Sequence, residues 1–159
     1  ALANGVSVFC SQNLGAGKIK RIRKGLWQGV GVGFIYGLLI GLVLIFAGRP
    51  LSMLFISADQ TAVLDASAKY LRCLGFFYWS LGPLSVFRMS AQGMGFSGRA
   101  IFSGVTEMIA RTFVSFAFVG TYGFAAICFA DQTAWVSATL YITPVCLMCL
   151  RQVTREHER

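Results

Sequence analysis

Residues Leu26 to Ala47 read LWQGVGVGFIYGLLIGLVLIFA, twenty-two positions without a charge. As a helix rising 1.5 Å per residue this stretch measures about 33 Å, and a bilayer's hydrocarbon core is about 30 Å thick. In water such a helix would need a polar face, and this one has none. In lipid it can be apolar all round, because every backbone N–H and C=O is satisfied inside the helix. Arg49-Pro50 marks its predicted end. Gly25, Gly29, Gly33, Gly37 and Gly41 recur at every fourth position. At 100° per residue they form one slowly drifting stripe, a groove that lets another helix backbone come close. We read Gly29, Gly33, Gly37 and Gly41 as a helix-packing face.

Three more spans follow from the same criterion. Residues 73–94 carry Pro83 in the middle and Arg88 towards the far end, with the amphipathic stretch Asp59 to Arg72 as first turns outside the lipid core. Residues 101–122 contain Glu107 and Arg111. Residues 133–150 contain Trp135, Tyr141 and Pro144, and residues 151–159 form a polar tail. The opening stretch, Ala1 to Cys10, reads as the last turns of a helix already under way, so an N-terminal truncation is expected. The expected fold is an all-α membrane protein, a polytopic bundle of four transmembrane helices plus the end of a fifth.

The charges fit that division. Only 13% of residues are charged, against about 25% in an average soluble domain, and 56% are hydrophobic. The net charge of +8 sits at the ends of apolar runs, which speaks for topology and against a nucleic-acid partner. Residues 12–25 hold Lys18, Lys20, Arg21, Arg23 and Lys24; residues 95–100 hold Arg99; the tail holds Arg151, Arg155 and Arg159. The alternate connections hold Arg49, Lys69 and Arg72, and then only Asp131. The positive-inside rule therefore places the first set in the cytoplasm, C-terminus included. The run from Lys18 to Lys24, with Ile19, Ile22 and Leu26 interleaved, reads as an interfacial helix start on anionic lipid.

Few residues carry chemistry. Glu107 and Arg111 lie i, i+4 on one helix face inside a span, where an ionisable group is costly. They are candidate coupling or gating residues, or else a structural ion pair that lowers its own insertion cost. Arg88 either snorkels to lipid phosphates or meets Glu107 on the next helix. Phe76, Phe77, Tyr78 and Trp79, just before Pro83, form an aromatic cluster suited to hydrophobic cations, although aromatic belts are also normal at this depth. Phe77, Tyr78, Trp79 and Pro83 are the candidate cavity residues. Pro83 and Pro144 supply kinks, either mobile or static. The five cysteines are odd in number and scattered. Cys146-x-x-Cys149 sits in an apolar helix without partner ligands, so no disulfide framework, zinc site or cofactor is expected. Gly15-Ala16-Gly17-Lys18 lacks the first glycine and the Ser/Thr of a phosphate loop. The one histidine, His157, lies in the tail, and enzyme chemistry is not expected.

Three stretches carry a resemblance. Gly5-Val6-Ser7 followed by Ser11-Gln12-Asn13-Leu14-Gly15-Ala16-Gly17-Lys18 resembles the signature that closes the second helix of each lobe in the MATE (multidrug and toxic compound extrusion) family. Gln92-Gly93-Met94-Gly95-Phe96-Ser97-Gly98-Arg99 is similar to that family's glycine-rich turn after the fourth helix of a lobe. Glu107-x-x-x-Arg111, then Gly123 and Ala134-Trp135, looks like the end of its second lobe. The resemblance covers essentially the whole chain and implies the C-terminal lobe from the end of helix 8 to helix 12. It further implies a multi-pass protein of the cell (inner) membrane that exports drugs or organic cations by H⁺ or Na⁺ antiport, paired with a missing N-terminal lobe across a central cavity. One departure stands out. Some sodium-coupled members carry an acid on the helix matching residues 73–94, and this helix has none. The alternatives are a flippase for lipid-linked oligosaccharides from the same superfamily, or a truncated remnant that transports nothing.

Overall fold

The computed structural model describes residues 1–57 and 59–158 and consists of five helices in sequence. They are α1 (Leu2–Gly15), α2 (Ile19–Met53), α3 (Thr61–Gly93), α4 (Ser97–Tyr122) and α5 (Phe124–His157). Each turns back on the one before, so the starts of α2 and α4 lie with the ends of α3 and α5. Ile22, Leu26, Phe87, Met94, Ala100, Cys149 and Val153 accordingly pack into one core cluster at that end of the bundle.

Two of the turns share one construction. After α1, Lys18 N–H donates to Asn13 C=O (2.8 Å) and Gly17 N–H to Leu14 C=O (3.0 Å), with Gly17 at φ +66°. After α3, Phe96 N–H donates to Ala91 C=O (3.0 Å) and Gly95 N–H to Gln92 C=O (2.9 Å), with Gly95 at φ +92°. This is the Schellman closure, in which the left-handed residue falls to glycine because a Cβ is strained there. The two Gly-x-Gly stretches singled out in the sequence are thus the same helix stop used twice.

Two predicted boundaries move. Helix α2 does not stop at Arg49-Pro50 but runs on to Met53. Pro50 falls in the last turn, where it withholds the N–H that Phe46 C=O would accept, and Ser52 Oγ adds a bond to Gly48 C=O (2.9 Å). Residues 123–132 are not a connection. Gly123 alone makes the turn (φ +54°), and Phe124 begins α5. Ala126, Cys128, Ala130 and Gln132 are buried and hold this stretch to the bundle.

Helices α2, α4 and α5 are long and apolar enough to cross a membrane. Much of their apolar surface is uncovered: Phe46 is 81% exposed, Phe116 87%. Patches of that kind are unfavourable in water and suited to hydrocarbon. Helix α3 falls short in apolarity because Ser80, Pro83, Ser85 and Arg88 interrupt it. It is also the one helix packed against all four others, so less of it needs to be oily.

The α2 stripe packs as a seam. A Cβ on Gly29 would lie 2.9 Å from Val6 of α1. A Cβ on Gly33 would lie 3.2 Å from the backbone of Gly82, and one on Gly37 2.8 Å from Tyr78 O. A Cβ on Gly41 would stand 2.5 Å from Gly75 O. From Gly33 onward α2 and α3 therefore touch backbone to backbone, which side chains larger than hydrogen would prevent.

Candidate functional site

Helices α3, α4 and α5 meet along a line of polar contacts. Arg88 on α3 directs Nε to Ser103 Oγ (2.7 Å) and Nη2 to Glu107 Oε2 (2.8 Å), both on α4. Ser103 donates in turn to Ala100 C=O (2.7 Å). The other carboxylate oxygen of Glu107 faces Arg111 Nη2 one turn on (3.4 Å). Arg111 Nε reaches Asp131 Oδ1 on α5 (2.9 Å). Asp131 Oδ2 accepts from Tyr70 OH back on α3 (2.6 Å). Arg88 and Tyr70 stand about 27 Å apart along the α3 axis, close to the thickness of a hydrocarbon core.

The line is charge-balanced, two arginines against two carboxylates. Each charge lowers the cost of placing the next in a medium that solvates neither. Helix α4 begins at Ser97, so Glu107 lies about 15 Å along it and Arg111 about 21 Å. Both are well inside the helix rather than at its rim. Glu107 is held between two arginines at unequal distance. Tyr70 lies ahead of residues 73–94; burial and the bond to Asp131 push its phenol up to about 12, so it remains a donor at neutral pH.

The sequence had pointed to Arg88, Glu107 and Arg111, and the fold brings these three together. It had not pointed to Asp131 or Tyr70. Asp131 stood in a supposed loop, and nothing in a single sequence ties it to a tyrosine sixty-one positions earlier. Gln132 was also missed. It is 1% exposed, and neither amide atom has a hydrogen-bond partner among the described residues.

The aromatic candidates separate. Successive helical residues fan out by 100°, and each finds its own partner edge-on: Phe77 with Phe129 (6.5 Å), Tyr78 with Trp135 (6.0 Å), Trp79 with Phe34 (5.9 Å). Pro83 is buried within α3. Of the four, Tyr78 borders an open cavity of about 480 Å³ lined by the start of α1 and by α2 and α3, together with Tyr36, Leu81 and Ser85. Cys146 and Cys149 are buried and free, and no cluster of three metal-ligating side chains occurs among the described residues.

These features define a multi-pass helical membrane protein with a paired set of charges between its helices. The MatE family model matches residues 1–116, well over half of the chain. The protein belongs to the MatE family, whose members are membrane transporters. The match takes in α1 to α3 and most of α4, with Arg88, Glu107 and Arg111; α5 and Asp131 lie beyond it. No curated protein and no solved structure is similar enough to the chain to be matched.

Proposed function

We propose that the chain is part of the C-terminal lobe of a two-lobed secondary exporter, residing in the cell (inner) membrane with its C-terminus in the cytoplasm, that moves drugs or organic cations out in exchange for H⁺ or Na⁺. The observation that carries the choice of substrate class is the balance of the charged line. Glu107 and Asp131 pair with Arg88 and Arg111, so the line between α3, α4 and α5 carries no surplus positive charge of its own. A flippase for pyrophosphate-linked oligosaccharides needs such a surplus, and a cationic drug does not. In this reading Glu107 and its two arginines are a gate whose pairing changes as the lobe moves, and Tyr78 faces the substrate path.

The test is flux. The two-lobed protein is reconstituted into liposomes with a pH or sodium gradient, and uptake of a fluorescent organic cation is followed. Uptake that collapses when an ionophore removes the gradient is the expected result. Gradient-independent uptake, or movement of lipid-linked oligosaccharide in place of the cation, overturns the proposal.

A further inference from the structure

At the end of the bundle where α2 begins and α5 finishes, the two helices enclose a hollow of about 430 Å³. Arg23 and Trp27 line it from α2, one turn apart. Leu147, Arg151 and Arg155 line it from α5 at the same four-residue spacing, and Leu150 closes its floor. Both stripes therefore grade in one direction, from guanidinium at the tip of the bundle to indole and leucine deeper in. None of the three arginines is ion-paired among the described residues. Two carboxylates line adjoining hollows: Glu156, beside Arg151 and Arg155, which accepts from Gln152 Nε2 (3.0 Å), and Glu158, beside Arg23. Trp27 is held edge-on against Phe87 (6.2 Å), so the wall of the hollow is fixed.

We propose that this hollow is a binding site for the headgroup of an anionic phospholipid. Three guanidiniums suit a phosphate diester, each with several N–H donors and no acceptor. Trp27 and the leucines suit the glycerol and upper acyl chain. A soluble phosphate would use only the upper half of the site and leave the apolar half empty. The hollow lies where an anionic leaflet attracts basic side chains, and pockets of this kind between helices hold acidic lipids. The site is independent of what the protein exports.

The experiment uses the purified protein in a zwitterionic detergent with added phosphatidylglycerol, phosphatidylcholine or inorganic phosphate, read by thermal melting and by lipid retention in native mass spectrometry. Phosphatidylglycerol is expected to raise the melting temperature and to be retained, and the other two are not. Each single variant, Arg23→Ala, Arg151→Ala or Arg155→Ala, is expected to weaken retention about fivefold. The triple variant should lose the preference while melting as the parent does in phosphatidylcholine. Lys69→Ala, which removes a basic side chain at the opposite end of the bundle, should keep it. Equal effects of the two lipids, an equal effect of inorganic phosphate, or loss in the lysine variant matching that of the arginine variants would overturn the proposal. If the triple variant does not fold, the single substitutions, all at exposed positions, decide the matter.

Discussion

Glu107 is the residue on which the paired line turns, since it alone bonds both arginines. Glu107→Gln leaves Arg88 a neutral amide oxygen and the Ser103 hydroxyl but no countercharge, so a loss of about 2 kcal/mol in stability is expected. Arg88→Gln should cost a similar amount. The double variant should cost less than the sum, because no unpaired charge then remains between α3 and α4. Additive losses in a denaturation cycle would show that the two side chains do not support one another. Tyr70 gives a pH signature. Its phenol titrates higher in the fold than the ordinary value of about 10, so its contribution is complete below that pH and is lost as pH rises towards about 12. Stability of the parent should therefore fall more steeply than that of Tyr70→Phe over this interval. Gln132 is an amide without partners, and leaving it so costs about 1–3 kcal/mol. Gln132→Leu is expected to raise the melting temperature, and a drop would mean that the amide is satisfied in the membrane.

At the scale of the helix, the α2–α3 seam makes glycines unequal. A Cβ on Gly82 would overlap Gly33 O, backbone against backbone, with no flexible atom to move aside. Gly82→Ala should destabilise by about 2 kcal/mol or more. Gly104 and Gly120 on α4 have nothing within 4 Å of an added Cβ, so Ala there should be neutral or stabilising by up to about 1 kcal/mol. Melting of the three variants side by side checks this. The seam was legible in the sequence as five glycines in register, because spacing on one helix is a local property. The identity of the facing residues was not, since Gly75 and Gly82 follow no such pattern. The same distinction explains the paired line. Glu107 and Arg111 are visible as an i, i+4 pair, whereas Asp131 acquires its meaning only when Gly123 turns α5 back along α4. It explains Phe77 to Trp79 too, where adjacency in sequence looked like a cluster and helical geometry dispersed it.

At the scale of the whole chain, the apolar exterior of α2, α4 and α5 sets the solvent, and α3 follows from its place among them. Helix α3 fails a simple hydropathy criterion while touching every other helix. We propose that it nevertheless crosses the bilayer, so that four helices alternate in direction with the arginine-rich ends together. Single cysteines introduced into a cysteine-free background at Lys20, Gln60, Gly98, Tyr122 and Glu156, labelled in intact cells with a reagent that cannot cross the membrane, decide the matter. Gln60 and Tyr122 should label from outside, while Lys20, Gly98 and Glu156 should label only after the cells are opened. Labelling of Gln60 and Gly98 from the same side would mean that α3 does not cross and would overturn this arrangement.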